Sequence, residues 1–421
     1  MKFNYGRIFL LGFGFFGVSV VWGVYNAFVP LFLADKFHLA PAIIGFFMTL
    51  DNIAALFIQP PVGSWSDRLH TPLGRRLPFI LIGAPISALA FGFIPLTAVL
   101  PLFVACTSTL LLSMAFWRTP VIALMPDITP SPNRSVANGI INLMGGIGAI
   151  VSFLGGASLY RLNHAFPFWM GSILVILATV LLLIFIQEPR EYAPSEEQPN
   201  LFKSLKELIQ DRDKSGIRIL LAIFFWFVGY SAIEAFFTLY AVNHLGVAEA
   251  DGARLLGHLS LLFVIFALPA GMIGARIGRR KTISTGIIIL SLVMLVMYFT
   301  SPAVLTTVLG KLPVLGTIPV ISLFLMLAGA AWALININSL PMVVDMTDNA
   351  RLGTYTGLYY LFSTLSAIVG PNLNGVIIQL TNRNYNSIMM VAPIFMAIAL
   401  VMMLGVHRGE AHALMPAREE G

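Results

Sequence analysis

Gly63-Ser64-Trp65-Ser66-Asp67-Arg68-Leu69-His70-Thr71-Pro72-Leu73-Gly74-Arg75-Arg76 is a short run of charge, glycine and proline between two long apolar segments, Ile43 to Val62 and Pro78 to Pro95. A thinner copy stands much later in the chain, Gly271-Met272-Ile273-Gly274-Ala275-Arg276-Ile277-Gly278-Arg279-Arg280-Lys281. Each copy joins two apolar spans and closes on Gly-Arg-Arg. Two equivalent loops in two halves read as a duplicated membrane protein.

Composition agrees. The 421 residues are 58% hydrophobic and only 10% charged, with a mean hydropathy of +0.87. A soluble domain carries roughly a quarter charged residues, whereas a membrane span needs about 20 apolar ones. The net charge of +6 does not point to nucleic acid, because the positive residues sit in short loops on alternate sides of the apolar runs. Cys106 is the single cysteine, so neither an intramolecular disulfide nor a CxxC metal site is possible. The start, Met1 to Arg7, is basic and enters a span too long for a signal peptide, without a small-residue cleavage pattern, and is read as a retained helix.

Apolar runs and their breakers predict an all-α membrane protein with twelve transmembrane helices, at 8–33, 41–62, 78–97, 101–125, 136–160, 166–187, 218–243, 255–275, 282–300, 318–343, 353–380 and 387–406. With the N-terminus cytoplasmic, nineteen Lys and Arg fall on the cytoplasmic side and five outside, Lys36, Arg161, Arg254, Lys311 and Arg383. Arg118 is left within a span. That bias predicts both termini in the cytoplasm.

Residues 1–187 and 218–406 form the two six-helix bundles, 188–217 the linker and 407–421 a polar, mobile tail. Within the linker, Leu201, Phe202, Leu205, Leu208 and Ile209 share a helical face opposite Lys203, Lys206, Glu207 and Asp211, the pattern of an amphipathic surface helix. The apolar, proline-bearing connection Ser301 to Thr317 is read as an interfacial segment. Further correspondences place the halves in register. Val24-Tyr25-Asn26-Ala27 matches Gly229-Tyr230-Ser231-Ala232, and Met125-Pro126-Asp127 with Arg134 and Gly139 matches Val344-Asp345 with Arg351 and Gly357.

Twelve spans, a long centre, and Gly-x-x-x-Asp-Arg followed by Gly-Arg-Arg resemble the major facilitator superfamily over nearly the whole chain. Ser66-Asp67-Arg68 through Gly74-Arg75-Arg76-Leu77-Pro78-Phe79-Ile80, with Trp117-Arg118-Thr119-Pro120-Val121-Ile122-Ala123-Leu124-Met125-Pro126-Asp127, is similar to the sucrose:proton carriers, relatives of the glycoside–pentoside–hexuronide:cation symporters. That second likeness rests mainly on the first half. The resemblance implies the major facilitator fold, two pseudo-symmetric bundles alternating access to a midplane site lined by helices 1, 4, 7 and 10.

Only Asp51, Arg118 and Glu234 are charges well inside spans. Each costs about 2.5–3.5 kcal/mol at mid-helix, so each needs a partner, a wet cavity or a task. Arg118 is the substrate candidate, since a guanidinium presents a planar fork of donors to hydroxyls or a carboxylate. The resemblance likewise gives the helix-4 arginine a sugar. Its repeat partner Asn336, with Trp332 and Asn338, completes a carbohydrate-type pocket of ring and amides. Glu234 and Asp51 are the proton-coupling candidates. Related sodium-using carriers place cation carboxylates where this chain has Ala55 and Gln59, which favours a proton over sodium. Asp67, Arg68, Arg75 and Arg76, with Asp127 and Arg134, are expected to form a cytoplasmic gating latch.

Gly12-Phe13-Gly14-Phe15-Phe16-Gly17 fits a dinucleotide pattern but lacks a preceding strand, and is read, like Gly145, Ala149 and Gly156, as close helix contact. No catalytic triad, nucleotide loop, metal spacing or cofactor motif is present in the sequence. The expectation is a monomeric, proton-coupled symporter of a di- or oligosaccharide such as sucrose or maltose in a plasma membrane, economically a bacterial inner membrane. Its partners are then sugar, proton and lipid. A proton-driven exporter of amphipathic compounds and a non-transporting sensor of the same fold stand as alternatives, the first because 32 phenylalanines can line a greasy cavity.

Overall fold

The computed structural model describes residues 5–129, 134–188, 201–210, 212–347 and 352–410. Within them are twelve helices long and apolar enough to cross a membrane. In chain order they are α1 (Tyr5–Lys36), α2 (Pro41–Arg68), α3 (Leu77–Leu96), α4 (Leu100–Ile128), α5 (Ala137–Tyr160), α6 (Phe166–Phe185), α7 (Ser215–Asn243), α8 (Glu249–Ile277), α9 (Arg279–Phe299), α10 (Val320–Val344), α11 (Gly353–Leu380) and α12 (Tyr385–Leu404). The end of the bundle at Tyr5 and Leu404 is called proximal here, and the opposite end distal.

The packing repeats as the sequence does. In the first half α1 lies on α5 and α6, α3 on α4 and α6, and α2 on α4; in the second α7 lies on α11 and α12, α9 on α10 and α12, and α8 on α10. The halves meet through α2 with α11, α5 with α8, and α1 with α7. In lipid no hydrophobic force pulls such helices together, so close approach through small residues does. Gly12 sits against Met144, and Gly148 against the Phe16 carbonyl.

Several boundaries differ from the reading of hydropathy. Gly63 to Arg68 is not loop but the last turns of α2, and Pro126-Asp127 lies inside α4. The turn proper is Leu69 to Arg76, where Gly74 takes a φ of 111°, as Gly278 takes 97° in the second copy. Both precede the Arg-Arg pair, and only glycine adopts that conformation without strain. The duplication is written in the backbone.

The connection after α9 is a short helix, Pro302–Leu305, and an antiparallel hairpin of β1 (Val308–Leu312) and β2 (Gly316–Pro319). In the linker, Leu201–Gln210 is helical, with Leu208 buried against Gly216. The linker's bounds shrink, because Glu188 is bound to α3 and Ser215 already opens α7. Asp213 caps that start, its carboxylate accepting from the Ser215 backbone N–H at 2.9 Å. Bonds from the Ser215 hydroxyl and N–H hold Asp213 below the usual carboxylate range. The cap is therefore complete above that range and is lost as pH falls through the depressed value. The tail is docked at its beginning, where the His407 N–H donates to Ser215 Oγ at 3.0 Å.

Gly45 shows how tightly the halves close distally. A Cβ there would stand 2.3 Å from the Pro371 carbonyl oxygen of α11. Gly45→Ala is thus expected to wedge the distal end apart. Spin labels at Leu162 and Ala248, with Cys106 replaced, should then report a longer distance than in the parent; an unchanged distance contradicts the wedge.

Candidate functional site

The site begins with a break in α2. The helix stops at Phe47 and resumes at Leu50, and Thr49 Oγ1 donates back to the Phe46 carbonyl at 2.7 Å. Asp51 occupies the first turn of the resumed helix, where free N–H groups favour an anion. It also accepts from Asn52 Nδ2 at 2.8 Å. Glu234 on α7 faces the other half and accepts from Asn26 Nδ2 of α1 at 3.2 Å. Arg118 projects from the middle of α4 and makes no hydrogen bond or salt bridge with any described residue. All three charged groups lie well inside their spans yet remain half-buried rather than sealed.

These groups form one electrostatic cluster. Asp51 acts on Arg118, on Glu234 across the interface, and on the Tyr25 phenol. Arg118 is also within the field of Tyr360 on α11, an exposed phenol. The three in-membrane charges of the sequence are thereby brought together, two from the first half and one from the second. Asn26, Tyr25 and Tyr360 escaped the sequence reading, since uncharged polar side chains carry no comparable insertion cost; only the Tyr25-Asn26 repeat with Tyr230-Ser231 marked that level of the chain.

The proposed pocket residues divide. Asn336, half-buried, has a side-chain amide with no described hydrogen-bond partner. Trp332 offers no open ring face for a sugar. Tyr230 stacks on it at 3.7 Å between centroids and 2° between planes, Phe227 meets it at right angles, and 4% of it is exposed. Neighbouring rings satisfy one another first. Asn338 is a correction too. Its Nδ2 donates to the Ala270 and Leu334 carbonyls, both at 3.0 Å, and the side chain fills the space that Gly274 leaves on α8. It is a helix–helix tie with no surface left for a ligand. An apolar groove of about 270 Å³ between α3 and α4, lined by Ile86, Leu89, Phe93 and Cys106, contains none of these charges.

At the proximal end the basic turn is held in an ion-pair network. Arg75 Nη2 pairs with Asp127 Oδ1 at 2.6 Å, and Arg76 Nε with Asp127 Oδ2 at 2.9 Å. Arg76 also binds Asp67 and Ser66. Arg68 is exposed and makes no side-chain bond to a described residue, so the structure does not bring it in. The Arg134 side chain lies outside the described residues.

Glu188, just past α6, supplies a member the sequence reading missed. Its carboxylate accepts from the N–H groups of Arg75 at 2.8 Å, Arg76 at 2.9 Å and Leu77 at 2.6 Å, capping α3. Glu410, just past α12, does the same for α9 through the Arg279 and Arg280 N–H groups, at 2.6 and 3.3 Å, while Arg279 pairs with Asp345. Both carboxylates sat in polar stretches read as linker and tail; their position after the sixth span of each half was the available signal. Glu188→Ala is expected to cost about 1–2 kcal/mol, as lost caps do. A lower unfolding midpoint for purified protein would register it, and an unchanged midpoint would contradict the cap.

The halves are tied elsewhere. Among the described residues every polar link between them lies towards the distal end. Asn26 reaches Glu234, and Asn372 Nδ2 donates to Thr49 Oγ1 at 3.1 Å. Tyr160 donates to Glu249, Arg161 pairs with Asp251, and Arg254 Nη2 reaches Ser158 Oγ at 3.3 Å. Among the described residues the proximal ion pairs each join residues of one half.

The family model of the Major Facilitator Superfamily matches residues 11–309 and 255–420. The chain belongs to the Major Facilitator Superfamily. It is a multi-pass membrane protein and a transporter of small molecules, not an enzyme. Its relatives include Multidrug resistance protein 2 of Bacillus subtilis (strain 168), 23% identical over 95% of this chain and 94% of that one. Sucrose transport protein SUC3 of Arabidopsis thaliana is 23% identical over 48% of this chain and 40% of that one. The isoprimeverose transporter of Lactiplantibacillus pentosus is 22% identical over 68% and 63%. Among solved structures, a bacterial homolog of the human lysosomal transporter Spinster, inward-facing and occupied, superposes with a TM-score of 0.75 at 14% identity, over 96% of this chain and 97% of that one.

Proposed function

We propose that this transporter carries a small sugar together with a proton, and that Arg118 grips the cargo while Glu234, with Asp51 beside it, carries the proton. The observation behind this reading is the guanidinium of Arg118. It is held within the membrane span and half-buried, beside a carboxylate, and none of its donors is used by the described protein. A planar, unspent fork of donors matches vicinal hydroxyls or a carboxylate. Asn336 adds an amide with both functions free. Glu234 and Asp51 stand on opposite halves, each within the other's field, so protonation and the distance between the halves are coupled: two anions there oppose distal closure, and a proton relieves the repulsion.

On this reading the basic turns lie in the cytoplasm, in agreement with the Lys and Arg bias, and the membrane is a bacterial inner membrane. The distal ties then close the outer side and leave the cavity facing inward. Asp67, Arg75, Arg76 and Asp127 act as the latch of the first half, with Glu188 as its anchor. The sugar-transporting relatives support the cargo class. The full-length match to a multidrug resistance protein favours a second reading, a proton-driven exporter of amphipathic compounds.

Thermal unfolding of the purified protein against a sugar panel at two pH values separates the two readings. A bound ligand stabilises the fold by RT ln(1 + [L]/Kd). A pH-dependent rise with one disaccharide is expected. No rise with any sugar, and a rise with lipophilic cations, would select the exporter.

A further inference from the structure

The β1–β2 hairpin between α9 and α10 is not explained by transport. A two-stranded ribbon has little stability by itself in water, and β1 is exposed along its whole length. Its uncovered side chains are apolar. Val308, Leu309, Leu312 and Val314 all present large exposed surfaces, Val314 being 77% open, and Lys311 is the charged exception. The apolar strip is continuous with the end of α9, where Phe299 is 75% open, and with Val304 of the short helix that follows.

Two contacts fix the depth of the hairpin. The ring of His258 on α8 is wholly buried, with Nε2 bonded to the Leu315 carbonyl at 3.0 Å and Nδ1 to Ser322 Oγ at 2.9 Å. A carbonyl only accepts, so Nε2 carries the hydrogen, and a neutral ring accepts at Nδ1 from the serine. Arg254, one turn further out on α8, lies across Gly316, whose added Cβ would meet its Nη1 at 2.8 Å. From the exposed basic end of α8 at Arg276 back to His258 the helix rises about 27 Å at 1.5 Å per residue. That falls just inside a hydrocarbon layer of roughly 30 Å, whereas Arg254, one turn beyond, falls outside it. The turn of the hairpin is therefore pinned at the distal edge of the hydrocarbon.

We propose that the hairpin is a lipid anchor, its apolar residues Val308, Leu309, Leu312 and Val314 seated in the distal leaflet and Lys311 among the headgroups. The occupant is the bilayer rather than a second copy of the chain, because the strip continues the lipid-facing surface of α9 at the same depth. Lys311 gives the anchor a preference for anionic lipid. Through His258 and Arg254 the anchor holds the start of α8, the same segment that ties the halves through Glu249 and Asp251.

The test is nitroxide accessibility on the full chain in nanodiscs of phosphatidylcholine and phosphatidylglycerol. Cys106→Ser removes the native thiol, and Leu309→Cys and Val314→Cys place labels on side chains whose loss empties no core. Phe299→Cys serves as the lipid-facing reference. At both hairpin positions oxygen collisions should exceed those of a water-soluble nickel chelate severalfold, as at Phe299. Chelate collisions dominating at both positions would overturn the anchor, placing the hairpin in water. Low accessibility to both reagents, with dipolar broadening between labels, would overturn it in favour of a second copy.

Discussion

Glu234→Gln is expected to leave the protein able to exchange its cargo and unable to accumulate it. Glutamine keeps the size of the side chain and an oxygen to accept from Asn26, whose bond to Glu234 is 3.2 Å long. It removes the one property the coupling requires, the gain and loss of a proton. One pH unit is worth about 1.36 kcal/mol per proton, close to a tenfold gradient of cargo in a one-to-one symporter. The variant should reach no gradient under an imposed pH difference while still catalysing counterflow in vesicles. Asp51→Asn, which removes a neighbour of Glu234 rather than the carrier, should slow uptake and preserve accumulation. Full accumulation by Glu234→Gln would sink the assignment.

Arg118→Lys is expected to weaken cargo binding by about thirtyfold, the equivalent of about 2 kcal/mol for hydrogen bonds to a charged group. Lysine preserves the positive charge near Asp51, so the electrostatic balance of the site survives. What goes is the planar fork, because an ammonium donates as a point and not in a plane. Calorimetric titration of the parent and of Arg118→Lys and Arg118→Ala separates charge from geometry. The alanine variant loses both and should bind least. Equal affinity for the parent and the lysine variant would show that cargo is not held by the fork.

Much of the architecture was legible because lipid imposes severe rules. Spans must be long and apolar, loops must carry the charge, and a duplicated loop betrays a duplicated half. The charges at Asp51, Arg118 and Glu234 stood out for the same reason, and the structure gathers them. Finer features left weaker marks. A helix without charged residues, such as α10, does not announce which face meets the cavity, so Trp332 and Asn338 passed for pocket residues and prove packed. Gly63 to Arg68 looked like loop, although nothing in those residues prevents the last turns of a helix. Tyr360 and Asn26 are cheap enough to bury or expose that neither betrayed its place. The hairpin was hidden by its apolar composition, which resembles that of the spans around it.

Glu188 and Glu410 also indicate where the chain can be cut. Each carboxylate follows the last helix of its half and grips the start of that half's third helix, so each bundle is closed by a staple of its own. A break introduced within 189–200 leaves both staples intact. The two pieces, made side by side in one membrane, are expected to meet through α1 with α7, α2 with α11 and α5 with α8, and to work as a transporter of two chains.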